Sequence, residues 1–285
     1  LEPVLVDALE QSLGARPVDW QPVSGGDVAT ARRVELDDSR IVFVKTHEAP
    51  PEGFFTTEAA GLTWLAEAGS VRVPEVLSVA DDPAHLALEW IDEGEANGDS
   101  EPELGRQLAG LHRAGAVSFG REDRRTTGSR GLPNEPCDSW AEFYATQRLI
   151  PLARLAHDGG ALETSTVRQI DRVADRLDDL GGEPEPPARL HGDLWSGNRL
   201  VGADGGNWLI DPAAHGGHRE FDLAMMRLFG GFGPACFGTY ADVHPLTDGW
   251  EARIPLHQLA PLIVHAIKFG GGYVAGVERA LHQLR

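Results

Sequence analysis

Around residues 92–98 the sequence changes its pattern, and that change limits the chain to a fold with two dissimilar parts. Before it, Val4, Leu5, Leu9 and Leu13 recur at helical spacing over 4–13. Ala31 to Leu36 and Arg40 to Thr46 then alternate around the turn Asp37-Asp38-Ser39, which predicts a hairpin. Thr56-Thr57-Glu58 opens a helical stretch that runs to Ala68 and stops at Gly69. Two more strands, over 75–80 and 85–91, flank the turn Asp81-Asp82-Pro83. Residues 92–98 are polar and Gly-containing, the composition of a linker. Beyond them the pattern is helical at 101–115, 138–157, 163–181, 219–229 and 255–282, with a Pro-rich loop over 181–187. One hairpin interrupts it, 199–202 with 207–210 around Ala203-Asp204-Gly205-Gly206. Gly270-Gly271-Gly272 marks a helix break or a close approach. The expectation is an α+β bilobal fold: a small antiparallel-β N-lobe with one main helix (1–91), a hinge (92–98) and a larger, mostly helical C-lobe (99–285). Ligands of such folds sit in the cleft between the lobes.

Composition narrows the partners. The 285 residues are 41% hydrophobic, enough for a sizeable core, and carry a net charge of −19. Nucleic acid and anionic membranes, which demand a basic face, are excluded as main partners. Any anionic ligand needs local help from a cation or from backbone N–H groups. Of the 25 basic residues only Lys45 and Lys268 are lysines, which makes a lysine in the middle of a strand conspicuous. Two cysteines, Cys137 and Cys236, rule out a disulfide framework and a Cys-rich zinc site; free thiols are expected. There is no basic n-region with an apolar h-region and no apolar run near ~18 residues, so neither a signal peptide nor a membrane span is expected. A cytoplasmic monomer is the expectation.

The densest chemistry lies in His191-Gly192-Asp193-Leu194-Trp195-Ser196-Gly197-Asn198, followed by the hairpin and Asp211-Pro212. Phosphoryl transfer needs a carboxylate to orient an acceptor hydroxyl and take its proton, and hard oxygen ligands to hold Mg²⁺ against the γ-phosphate. Asp193 fits the first need. Asn198 and Asp211 fit the second, with the hairpin bringing Asp211 back beside the loop. This is the H-x-D-x-x-x-x-N loop with a metal aspartate at the end of the next strand. Upstream, Lys45 in Val42-Phe43-Val44-Lys45 is placed to reach the phosphates of ATP, with Glu58 as its helix partner. Gly25 and Gly26, in Ser24-Gly25-Gly26-Asp27, would let backbone N–H groups approach phosphate. Glu89-Trp90-Ile91 stands at the hinge, where backbone groups would take the adenine edge.

These residues resemble the protein-kinase-like fold, in its small-molecule branch with the aminoglycoside and choline kinases. Gly192 stands where protein kinases place Arg, Pro212-Ala213 follows Asp211 instead of Phe-Gly, and no A-P-E segment follows, all of which argue against a protein substrate. The Trp195-containing loop, Ile210-Asp211-Pro212-Ala213, Gly217-His218-Arg219-Glu220-Phe221-Asp222 and Leu228-Phe229-Gly230-Gly231-Phe232 resemble the fructosamine-3-kinase family more closely. Arg72-Val73-Pro74 and Val117-Ser118-Phe119-Gly120 fit as well. The resemblance implies ATP- and Mg²⁺-dependent phosphorylation of a sugar hydroxyl on a ketosamine, free or protein-bound: a ribulosamine, erythrulosamine or fructosamine. The phosphorylated adduct then falls apart, a deglycation repair.

Plainer readings stand beside these. Asp193 and Asn198 are also turn formers, and Glu58 at a helix start is favoured by the dipole. Their order with Lys45 and Asp211 favours chemistry. His191 reads as a brace for the loop and Asp222 as an acceptor of its backbone N–H groups. His215 and His218 read as loop or substrate-pocket histidines, since no third zinc ligand has suitable spacing. Trp195 reads as a substrate contact with core packing as its rival, and Trp90, Trp140, Trp208 and Trp250 otherwise as core or surface. The rival functions are a kinase for an aminoglycoside, a choline-like alcohol or another sugar, and a nucleotide-binding pseudokinase.

Overall fold

The structure, a computed structural model, describes residues 1–23, 29–121, 126–127 and 131–285. The glycines expected to cover phosphate, Gly25 and Gly26, lie outside the described residues.

Helix α1 (Pro3–Leu13) starts on a proline, which needs no N–H there, and ends on Gly14 at φ +70°. Five antiparallel strands follow: β1 (Pro17–Pro22), β2 (Thr30–Leu36), β3 (Ile41–Thr46) and, after helix α2 (Phe54–Ala66), β4 (Val76–Asp81) and β5 (Ala84–Glu89). Their order in the sheet is β1-β2-β3-β5-β4. β1 has no counterpart in the sequence reading. It is bounded by prolines, pairs only with β2 at the sheet edge and shows no apolar alternation. β3 shows the period of two plainly. Val42 and Val44 join Leu5 and Leu9 of α1 on one face. Phe43 packs with Phe55, Ala59 and Leu62 of α2 on the other, and Lys45, two residues on, shares that face.

After β5 the chain does not hang free. Asp92 O accepts from Ala203 N at 2.7 Å and Gly94 N donates to Val201 O at 2.8 Å, so the hinge segment is stitched to the C-lobe hairpin. Helix α3 (Ser100–Ala114) begins the helical part. Short strands β6 (Thr126–Thr127) and β7 (Leu132–Pro133) precede α4 (Trp140–Phe143), which runs through a π-helical turn at Tyr144–Leu149 into α5 (Ile150–Asp158). Then come α6 (Thr164–Ala174), α7 (Leu177–Leu180) and β8 (Ala188–Leu190). β9 (Arg199–Val201) and β10 (Asn207–Leu209) form the expected hairpin. β11 (His215–Gly217) pairs back on β8, which the two glycines had concealed.

Four helices end the chain: α8 (Glu220–Phe229), α9 (Pro234–Val243), α10 (Trp250–Phe269) and α11 (Gly272–Gln283). The stretch expected to be one helix over 255–282 is two, broken where Gly270 and Gly271 take φ of +65° and +47°. Likewise 163–181 divides into α6 and α7. The main C-lobe core gathers Phe143, Tyr144, Leu152, Ile170, Leu190 and Ile263 around Trp140, whose ring stacks on Tyr144 at 4.9 Å and 17°. A second core joins α3, α8 and α9 through Leu104, Leu108, Leu223 and Tyr240. Both cysteines are buried free thiols. Among the described residues no helix is long and apolar enough to cross a membrane.

Candidate active site

One half of the candidate site is built on β3 and α2. Lys45 is buried, and its Nζ donates to Glu58 Oε1 at 2.7 Å and to Asp211 Oδ1. Burial alone would lower the lysine pKa. The two carboxylates outweigh it and hold Lys45 above its ordinary value, so it stays charged. α2 begins two residues earlier than the sequence suggested, which moves Glu58 out of the first turn. The dipole therefore does not explain Glu58; the buried lysine does. At the hinge, the Glu89 carboxylate accepts from Glu75 N at 3.2 Å and Trp90 Nε1 donates to Asp92 at 3.0 Å. Glu89 and Trp90 thus spend their side chains on neighbours.

The candidate catalytic loop leaves β8 at His191. Asp222, fully buried on α8, accepts from His191 N at 2.8 Å and Gly192 N at 2.9 Å, the support role expected of it. Two residues absent from the sequence reading hold Asp222 in turn: His112 of α3 lies 3.3 Å from its Oδ2, and Tyr240 of α9 lies 2.8 Å from the other nitrogen of His112. Gly192 has φ +81°, and a Cβ there would run into the carbonyl of Ala213, so no other residue fits this turn. His191 is buried and pushed below its ordinary pKa by burial. Its Nε2 donates to Ile210 O at 2.9 Å, and its Nδ1 accepts from Asp193 N at 3.3 Å. These contacts tie the ring to the loop.

Asp193 and Asn198 face one another. Asn198 Nδ2 donates to Asp193 O at 2.8 Å and to Asp193 Oδ2 at 3.2 Å, fixing the carboxylate. Burial raises the Asp193 pKa to about 7 against the pull of that hydrogen bond, with the charges of Asp211 and Asp222 adding to the rise. A carboxylate tuned near neutrality suits proton transfer at physiological pH. Asp211 sits at φ +55°, a conformation non-glycine residues rarely adopt, and this aims its carboxylate at Lys45. Asn198, with its amide nitrogen spent on Asp193, has its oxygen left for a cation. That oxygen and the Asp211 carboxylate are the hard donors Mg²⁺ prefers, so the residues present fit that ion.

Beside Asp193 lies a cavity of about 200 Å³ lined by Gly192, Asp193, Arg148, His215, Met225 and His265, among others. His215 is thus brought to the site. His218 is not among the lining residues, a correction to its place in the substrate pocket. It stacks on His257 at 5.1 Å and 23°, beside Glu220, whose oxygens are both taken by Arg253 at 2.6 and 2.9 Å. Those two histidines and Glu220 do come together as three possible metal ligands. The guanidinium already neutralises the carboxylate, so the cluster reads as a buried salt-bridged core. Trp195 is 40% exposed, which rejects the core alternative. Its ring meets Phe229 edge-on at 6.2 Å, and Phe229 lies 4.7 Å from His265 on the cavity wall.

A family model described as fructosamine kinase matches residues 4–285. The chain belongs to the fructosamine kinase family. Membership makes it a phosphotransferase with an alcohol acceptor. A Synechocystis protein assigned as a ketoamine kinase is 36% identical over 266 residues, covering 92% of this chain and 88% of its own. The ketosamine-3-kinase of Mus musculus is 32% identical over 299 residues, covering 93% and 94%. A solved Thermobifida fusca structure assigned to the fructosamine-3-kinases superposes with a TM-score of 0.90 at 42% identity over 98% of both chains. An aminoglycoside phosphotransferase structure, at 15% identity and a TM-score of 0.61, shares the fold of this family over 98% of the chain.

Proposed function

We propose that this enzyme transfers the γ-phosphoryl group of ATP, with Mg²⁺, to a hydroxyl of a ketosamine. The observation that carries the reading is the convergence of Lys45, Glu58, Asp193, Asn198 and Asp211, with Asp193 also lining a cavity. Lys45, held by Glu58, positions the phosphates. Asp193 orients the acceptor hydroxyl and takes its proton as that oxygen bonds to phosphorus and the bond to the β-phosphate oxygen breaks, releasing ADP. Asn198 and Asp211 would hold Mg²⁺, which neutralises charge on the phosphates when bound. The buried guanidinium of Arg148 in the cavity wall supports a neutral sugar chain over a free polycation, which favours ketosamines over aminoglycosides.

The sugar would be that of a ribulosamine, erythrulosamine or fructosamine, and the phosphorylated adduct would fall apart, repairing a glycated amine. Two buried free thiols fit a reducing, cytoplasmic setting. ADP release measured with ribulosamine, erythrulosamine, fructosamine, aminoglycoside and choline acceptors tests the reading. Turnover led by a ketosamine is the expected result. Turnover confined to the other acceptors, or none, overturns it.

A further inference from the structure

We infer that His215 Nε2 accepts a hydrogen bond from a second hydroxyl of the acceptor, so that the site selects polyols over molecules with a single hydroxyl. This rests on reading the cavity beside Asp193 as the acceptor pocket. The His215 ring lines that cavity and is 2% exposed. Its Nδ1 lies 2.8 Å from Ala213 O. A carbonyl only accepts, so Nδ1 carries the proton and Nε2 presents a bare lone pair. That Nε2 is buried with no hydrogen-bond partner among the described residues. Burial, with the charge of Arg148 second, pushes the imidazole down to about 3, so it stays neutral and Nε2 stays an acceptor.

The surrounding protein offers no remedy. The ring is pinned by stacking on Phe143 at 5.4 Å and 28° and by an edge contact with Phe221 at 5.9 Å. The Arg148 fork is engaged elsewhere, NH1 donating to Pro133 O at 2.6 Å and Gln147 O at 2.9 Å, NH2 to Asn134 Oδ1 at 2.9 Å. An orphaned buried acceptor costs stability. A ligand O–H satisfies the lone pair. Since another hydroxyl must face Asp193, the acceptor needs at least two.

The test is His215→Phe, assayed with ketosamine, aminoglycoside and choline acceptors. The variant loses the orphaned acceptor and also the hydrogen bond to Ala213 O, two effects on stability that oppose one another, so the kinetics decide. For the polyol acceptor that wild type uses, kcat/KM should fall about 10-fold or more, with KM for ATP unchanged. A deoxy analogue of that acceptor lacking the second hydroxyl should lose as much on wild type and nothing further on the variant. In ¹⁵N spectra, His215 Nε2 should shift when the polyol saturates the protein. Kinetics within twofold of wild type, a lower melting temperature with unchanged kinetics, turnover of choline alone, or no Nε2 shift with any acceptor would each overturn the claim. If the preferred polyol is not a ketosamine, the proposed function fails while the His215 claim is decided with that polyol.

Discussion

Lys45 and Asp211, 166 residues apart in the chain, meet as an ion pair that joins the strand of the small lobe to the end of the large-lobe hairpin. The pair closes only because Asp211 adopts φ +55° and Glu58 supports the lysine from its other side. Replacing Lys45 by Ala or Met leaves the largely buried Glu58 carboxylate and the partly exposed Asp211 carboxylate without their shared counter-charge. We expect kcat to collapse, KM for ATP to rise, and stability to drop by about 3 kcal/mol, the order seen when one partner of a buried pair is removed. Lys45→Arg should not rescue activity, since a fork is no substitute for a compact charge. Steady-state kinetics with chemical denaturation check both halves.

Asp211→Asn and Asn198→Ala each remove something from the cation site, and both should raise the Mg²⁺ requirement. Asp211→Asn should do so more, because it removes charge. A magnesium titration of activity unchanged in both variants would place the ion elsewhere.

Trp195→Ala should lower kcat/KM for the sugar–amine about 10-fold, leaving KM for ATP alone. Because the indole is 40% exposed, the melting temperature should move by only a few degrees. Thermal melts beside acceptor kinetics separate these effects. A core tryptophan would behave in the opposite way, at a cost of about 3–5 kcal/mol.

Acid stability should depend on Glu220. Burial pushes its carboxyl up, but the nearby His257 ring, 3.3 Å away, and the two hydrogen bonds from Arg253 outweigh this and bring it down to about 2. A depressed folded-state pKa gives stability that is fully present above the unfolded value near 4.5 and is lost as pH falls from there through 2. Glu220→Gln should therefore forfeit about 3 kcal/mol at pH 7 and flatten the stability profile between pH 5 and 2. Urea melts across that range give the slope directly.

Much of the site was legible because its chemistry is local. Asp193 and Asn198 sit five residues apart on one loop, and the hairpin that returns Asp211 carries its own turn signal. The two-lobed plan followed from the change of period near residue 92. What stayed hidden depends on distant partners. His112 and Tyr240 hold Asp222 across 110 and 128 residues through side chains that read as ordinary helix positions. β11 was masked by Gly216-Gly217, and the start of α10 by Pro255 and Pro261, tolerated inside that helix. His218 looked like a pocket residue beside His215, but three residues on it faces a different side of the chain, toward His257.

The most direct test is Asp193→Asn. The change keeps the shape of the side chain and removes its capacity to take a proton. Binding of Mg·ATP and phosphoryl transfer to a ketosamine should be measured on the same preparation, the latter under single-turnover conditions. Unchanged nucleotide affinity with transfer slowed about 10²-fold or more is the result expected of a group that both orients and deprotonates the acceptor. Transfer at close to the wild-type rate would contradict the assignment of Asp193 and, with it, the account of this site.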